Sequence, residues 1–198
     1  MGELKPYPEY KDSKLPWLGK IPSHWEEKRA KCYFREVDER SKTGKEELLS
    51  VSHITGVTPR SQKNITMFKA LSYTGYKLCK PGDLAINTMW AWMGALGVSK
   101  YSGIISSGYA VYRPIRSDDH VPEFIDSLLK TTPYTSEYYC RSTGIRSSRF
   151  RLYPESFLKI PIVCPSQEEQ EKIMVYLHME DRKISNFINA KRRLIALL

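Results

Sequence analysis

The sequence predicts an α/β protein of the α+β kind: a twisted, mainly antiparallel sheet with short helices, followed by a long C-terminal helix able to form a coiled coil. Three observations predict it. Short apolar runs bounded by Gly, Pro and Ser fill the middle of the chain, two short helical segments follow them, the second with Pro in its first turn, and an apolar seam with heptad spacing runs to the last residue. At roughly 150 residues per domain, 198 residues suggest one main core with about 50 to spare. The expected division is a globular domain over 1–165 and a helix over 166–198.

Pro6, Pro8 and Pro16 make residues 1–17 an extended lead-in arm, because proline blocks both a helix interior and a central strand. Ser23-His-Trp-Glu26 has the form of a capping box, and the stretch from there to Phe34 suits a helix or a strand. Arg35 to Lys45 is a charge-dense connector. Glu47 to Ile54 is the first clear strand, and Lys77–Cys79, Leu84–Asn87 after the Pro81-Gly-Asp turn, and Gly108–Pro114 are further ones. Tyr109 and Tyr112 fall in the last of these as core residues. Asp119 can cap a helix over Val121–Lys130, and a second short helix is expected over Pro133–Cys140. A basic Ser/Gly loop, Arg141–Phe150, leads to a short strand over Ile160–Val163.

Ser166-Gln-Glu-Glu169 is a second capping box, opening a helix to Leu198 that would be about 50 Å long at ~1.5 Å per residue. Its seam is Ile173, Leu177, Glu180, Ile184, Phe187, Lys191, Leu194 and Leu198. Apolar residues at six of these eight positions point to a partner helix, with Glu180 and Lys191 specifying register or orientation.

Lys and Arg outnumber Asp and Glu by 31 to 22, which turns attention to phosphate-rich partners. From Arg60 to Arg116 there are eight bases and one acid, Asp83, interleaved with Tyr and Trp; Arg141 to Lys159 adds five bases against Glu155. Basic residues mixed with aromatics and amides suit a surface that grips phosphate and touches base edges. The residues expected to contact duplex DNA are Arg60, Lys63, Lys77, Lys100, Arg146, Arg149 and Arg151, with Gln62, Asn64, Trp90 and Trp92 as base-edge or shape readers.

Catalytic motifs are missing. The chain has no Pro-Pro dipeptide, hence no Asn/Asp-Pro-Pro-aromatic methyltransferase motif, and no Gly-x-Gly cofactor fingerprint; Gly44-Lys45 lacks the upstream glycine of a phosphate loop. His24, His53, His120 and His178 have no acidic or nucleophilic partner at a telling spacing. Cys32, Cys79, Cys140 and Cys164 are too scattered for a zinc site or a disulfide framework and are expected as reduced core thiols. Neither a metal nor a cofactor is expected. No apolar run approaches the roughly 20 residues that span a bilayer, and residues 1–10 lack the apolar core of a signal peptide, so a cytoplasmic location without membrane contact is expected.

An ordered set of short motifs resembles the target-recognition domains of specificity subunits in type I restriction-modification enzymes. It comprises Trp17-Leu-Gly-Lys-Ile-Pro-Ser-His-Trp25, Lys80-Pro-Gly-Asp83, Gly144 to Arg149 before Leu152-Tyr-Pro-Glu-Ser-Phe157, Ile160-Pro-Ile-Val-Cys-Pro165, and Glu169-Gln170 to Ile173 opening the long helix. Arg35 to Tyr76 and Asn87 to Ser107 match nothing in that pattern. The resemblance implies a non-catalytic subunit that reads DNA and positions methyltransferase subunits, and through them the restriction subunit, on a bipartite site. Of the expected DNA contacts, only Arg146 and Arg149 also draw on it. Family members usually carry two recognition domains and two long helices. One of each here implies either a half-subunit that pairs with itself, as a homodimer, or half of a longer subunit, with the two helices antiparallel. Two rivals remain at this level: a small metal-dependent endonuclease using Asp12, Glu26 and Lys28, and a scaffold whose helix is the functional part.

Overall fold

The computed structural model describes residues 5–62, 70–116, 120–146 and 149–197. In chain order the strands are β1 (Tyr10–Asp12), β2 (Lys20–Pro22), β3 (Glu26–Arg29), β4 (Phe34–Glu36), β5 (Leu49–Ser52), β6 (Gly56–Pro59), β7 (Lys77–Cys79), β8 (Leu84–Ile86), β9 (Leu96–Val98), β10 (Gly103–Ile105) and β11 (Ala110–Pro114). Helices α1 (Pro122–Leu128), α2 (Thr132–Arg141) and α3 (Pro154–Phe157) follow, then β12 (Pro161–Cys164) and α4 (Gln167–Ala196).

The central sheet has the order β4-β11-β8-β9, and its paired strands are antiparallel. Its residues alternate between two separate cores, as the two-residue period of a strand requires. Leu84, Ile86, Leu96, Ala110 and Tyr112 join Phe124, Ile125, Tyr134, Tyr138 and Phe157 in the helix-side core. Ala85 and Val111 face the other way, onto Leu49, Val51, Val57, Cys79 and Ile105 from the β5–β6 and β7–β10 pairs. The sheet is therefore covered on both faces, and the α+β class expected from the sequence is the one found.

Lys80-Pro-Gly-Asp83 is a tight turn, with the Asp83 amide donating to the Lys80 carbonyl at 3.0 Å and Gly82 at φ +88°. Asp83 is buried. It accepts two bonds from Arg113, at 2.8 and 3.0 Å, and one from the Lys80 amide at 2.9 Å. Gly103 is required by crowding, since a Cβ there would stand 2.2 Å from the Glu47 carbonyl oxygen.

Several expectations are corrected. The N-terminal arm folds back as a β1–β2 hairpin around a 3-10 turn at Pro16–Leu18. Ser23–Glu26 caps no helix; Glu26 opens β3, which pairs with β12. Helix α1 is N-capped by Val121, whose amide donates to Gln170 Oε1 at 2.7 Å, while Asp119 lies outside the described residues. Cys79 and Cys164 are buried, but Cys32 and Cys140 are exposed. Tyr112 is buried as expected, whereas Tyr109 is half-buried. His24 and His178 do meet acids, Glu169 at 2.8 Å and Glu123 at 3.7 Å, across sequence gaps that no local spacing reveals.

The 30 residues of α4 span about 45 Å. Ser166 accepts from the Glu169 amide at 3.3 Å, which is half of the expected capping box. The other half is redirected. The Glu169 carboxylate accepts from Tyr7 Oη at 2.6 Å and Trp25 Nε1 at 3.0 Å, and it meets His24 Nε2 at 2.8 Å. Gln170 is fully buried, donating to the Pro165 carbonyl at 3.0 Å and the Cys164 sulfur at 3.1 Å. Met174 is the last buried residue of the helix. No described helix is long and apolar enough to cross a membrane.

Burial works against the Glu169 charge, but the bonds from Tyr7, His24 and Trp25 outweigh it and hold the carboxyl below its ordinary value. The folded state then binds fewer protons than the unfolded one. This contribution is complete above the ordinary carboxylate value of about 4.3 and is lost as pH falls through the lowered folded value. Glu169→Gln is expected to cost about 1–3 kcal/mol at pH 7, with the gap to the unsubstituted protein shrinking below about pH 4. Urea titrations at pH 7, 4 and 3 measure it, and a pH-independent gap would refute the assignment.

Candidate nucleic-acid interface

Strand β8 has two unlike ends. At its start lies Asp83 with its cations. At its finish, Asn87 opens a loop to Ala95 that returns into β9, and the Ser106–Tyr109 turn lies beside it at the start of β11. Asn87 Nδ2 donates to Tyr109 Oη at 3.1 Å, and Thr88 Oγ1 donates to the Gly108 carbonyl at 2.8 Å, joining the two loops.

A 3-10 turn at Ala91–Met93 presents Trp90 and Trp92 as a stack, centroids 5.9 Å apart and planes within 24°. Trp92 Nε1 donates to the Met89 carbonyl at 3.1 Å, fixing its ring. Tyr139 and Phe150 meet Trp92 edge-on at 6.1 and 6.5 Å and each other at 5.2 Å. The cluster is held rigidly and yet reaches solvent: Trp90 is 46% exposed and Tyr139 50%.

The basic loop is pinned to the same place. The Leu152 amide donates to the Thr88 carbonyl at 2.9 Å, Thr143 and Arg151 exchange backbone bonds at 3.0 and 2.9 Å, and the Arg149 amide donates to the Arg146 carbonyl at 2.8 Å. Gly144, at φ +149°, lets this loop close. A Cβ there would stand 2.6 Å from the Arg149 carbonyl oxygen. Arg60, at the end of β6, is electrostatically coupled to Tyr109: burial pushes the phenol up, and the Arg60 charge opposes that rise.

The fold thus brings Arg60, Trp90, Trp92, Arg146, Arg149 and Arg151 to one end of the sheet, with exposed Gln62 beside Arg60. Among the described residues, none of these four arginines is paired with an acid. Lys63 and Asn64 lie outside the described residues. Lys77 and Lys100 are placed elsewhere. Lys77 is buried, its ammonium 3.4 Å from Asp38 and 3.8 Å from Glu36, and Lys100 pairs with Glu123 at 2.9 Å. Sequence reasoning missed Tyr139, Phe150 and Asn87. The adjacent Tyr138 and Tyr139 carried a signal, since neighbours on a helix lie about 100° apart and only one can enter the core. Of the seam, Ile173 packs partly against the core, Leu177, Ile184, Phe187 and Leu194 are exposed, and Leu198 lies outside the described residues.

Unpaired guanidinium groups beside aromatic faces supply charge-assisted donors for phosphate or guanine and a surface for stacking. Among the described residues, no three His, Cys, Asp or Glu side chains gather as a metal site. Of the carboxylates considered for a nuclease, Glu26 binds Lys28 at 2.5 Å on the surface, and Asp12 lies in β1.

Similar architecture is found in solved structures. The chain superposes on the HsdS subunit from Thermoanaerobacter tengcongensis with a TM-score of 0.54 and 17% identity, covering 84% of this chain and 39% of that one. A chain from a structure of complex assembly and conformational transition in the type I R-M system gives 0.56 and 20%, covering 86% and 41%. The type I S subunit from M. genitalium gives 0.52 and 12%, covering 82% and 40%. The fold is one found in type I specificity subunits. The chain spans about two-fifths of the length of these three chains, and the fold implied by its sequence motifs is met. No family model and no curated protein matches the chain.

Removing the Lys77 ammonium leaves Glu36 and Asp38 facing each other, whereas Lys100 holds a surface pair. Lys77→Ala is therefore expected to lower stability by about 1–3 kcal/mol and Lys100→Ala by less than about 0.5. Denaturant midpoints of the two variants, compared side by side, check the contrast.

Proposed function

We propose that this chain is a DNA-reading module of a type I restriction-modification system, non-catalytic itself, that positions methyltransferase subunits and through them the restriction subunit on a bipartite site. One observation carries the reading: in a fold shared with specificity subunits, the unpaired arginines and the stacked indoles of exposed Trp90 and half-buried Trp92 gather at one end of the sheet, away from the paired charges at the other. Residues 1–165 are the recognition domain and 166–198 the spacer and pairing helix. Arg60, Arg146, Arg149 and Arg151 are the proposed cationic contacts, with Gln62, Trp90 and Trp92 reading base edges or shape; Lys63 and Asn64 remain in the set by sequence alone. Lys77 and Lys100 are left out, because their charges are committed to acids. The helix pairs with a second such helix. No cofactor is assigned to this chain; cofactors belong to the subunits it positions.

Each phosphate neutralised releases condensed counterion, so four arginine contacts imply a fall of log K with log salt at a slope of roughly −4. Arg149→Ala and Arg151→Ala are each expected to weaken duplex binding and to reduce that slope by about 1, with unchanged melting temperature. Fluorescence anisotropy with a labelled duplex between 50 and 200 mM salt measures both. A flat salt response in the unsubstituted chain would overturn the reading, and cleavage of plasmid by the purified chain with magnesium would favour a nuclease.

A further inference from the structure

Of the four tryptophans in the chain, Trp90 is unlike the other three. The indole N–H of Trp17 donates to Glu137 at 2.8 Å, that of Trp25 to Glu169 at 3.0 Å, and that of Trp92 to the Met89 carbonyl at 3.1 Å. Among the described residues, the Trp90 N–H has no such acceptor. Trp92 covers one face of the Trp90 ring, and among the described residues no other ring meets it. Trp90 is exposed all the same, so its opposite face looks onto solvent.

That face is rigidly presented. The Trp90 amide donates to the Asn87 carbonyl at 3.0 Å, and the Trp90 carbonyl accepts from the Met93 and Ala95 amides at 3.0 and 3.1 Å. Gly94, at φ +80°, closes the turn in a left-handed conformation that glycine adopts without strain. Beneath it, Tyr139 and Phe150 brace Trp92 edge-on. A ligand laid on Trp90 therefore meets a surface already ordered by folding, and little conformational freedom remains to be lost on binding.

We infer that the open face of Trp90 receives one unstacked nucleobase of bound DNA, as the third layer of the Trp92–Trp90 stack. The inference rests on the DNA reading proposed above and names what one residue of that site holds. Three arguments lead to it. A flat π face with a spare N–H donor suits a flat ring that carries acceptors, and the unpaired Arg60, Arg146, Arg149 and Arg151 at the same end of the sheet select a ring joined to negative charge. A nucleotide meets both conditions; a proline-rich or arginine-rich peptide meets neither the acceptor nor the charge requirement. Within an intact duplex, both faces of each interior base are covered by its neighbours, so Trp90 finds a stacking partner only where a base has left the stack. Reading base edges in a groove would use the indole N–H and leave the apolar face in water, whereas stacking covers it. Selectivity follows from the same balance. Releasing a base from a paired duplex costs free energy, and DNA in which a base is already unpaired is spared that cost.

The test is fluorescence anisotropy of the full chain with three labelled duplexes of one sequence: fully paired, with one extra unpaired adenine, and with an abasic residue in place of that adenine. The adenine bulge is expected to bind about tenfold more tightly than the paired duplex, and the abasic bulge to stay within about twofold of it, because it has the flexibility of a bulge without a face to stack. A fluorescent adenine analogue at the bulge should lose emission on binding. Trp90→Ala should abolish both the preference and the quenching, and Trp90→Phe, which keeps a ring, should hold the preference to within about threefold of wild type. Should Trp90→Ala lower the melting temperature, the abasic comparison and the phenylalanine variant carry the decision. Equal affinity for adenine and abasic bulges, or a preference that survives in folded Trp90→Ala, would overturn the stacking site. Salt-dependent binding to all three duplexes alike would overturn it and leave the DNA-reading proposal standing, while a chain that bound none of them would overturn both.

Discussion

One buried carboxylate, Asp83, organises the sheet. Its charge would be costly inside the protein if left alone, but the Arg113 guanidinium and the Lys80 amide satisfy both oxygens. Asp83 immediately precedes β8 and Arg113 belongs to β11, so this fork fixes the register of the two central strands as well as the turn into them. Glu39 joins from the connector after β4, binding Arg113 at 2.7 Å and Lys80 at 2.9 Å; those bonds hold its carboxyl down at about 2. With Lys77 held by Glu36 and Asp38, Lys77, Lys80 and Arg113 at this end of the sheet each have an acid partner. Arg60, Arg146, Arg149 and Arg151, near the loop end, have none among the described residues.

That polarity separates two tasks within a sheet whose central strands are three to five residues long. The ionic end and the two apolar faces hold the strands. The loop end needs only its own local ties, such as Asn87 to Tyr109 and Thr88 to Gly108, to present its arginines and indoles.

Much of this was legible in the sequence where the cause is local. The Pro81-Gly82 turn, the alternation in β5, the proline in the first turn of α2 and the seam of α4 all follow from neighbours a few residues apart. Strands β1, β2, β4, β6, β9 and β10 were missed because strands of three or four residues leave almost no periodic trace, and all of these but β1 and β4 also carry Gly or Pro. Lys77 read as a surface cation because only tertiary pairing shows that its β-strand position points inward. The Glu169 anchorage depends on Tyr7, His24 and Trp25, at least 144 residues away, and looked like half of an ordinary cap. At the candidate interface the charges were visible in the sequence, but which of them remain unpaired was not.

The root of α4 has a mechanical consequence. Everything beyond Met174 projects from a clamp made in the first two turns by Ser166, Glu169 and Gln170. A rigid rod of about 45 Å magnifies any tilt at such a clamp, so that 5° at the root displaces the far end by about 4 Å, most of one helical turn. Angular stiffness at Gln170 therefore governs positional accuracy far away, which gives a buried amide with partners on three sides, in the strand before it, the helix beside it and the turn behind it, the office of a bearing.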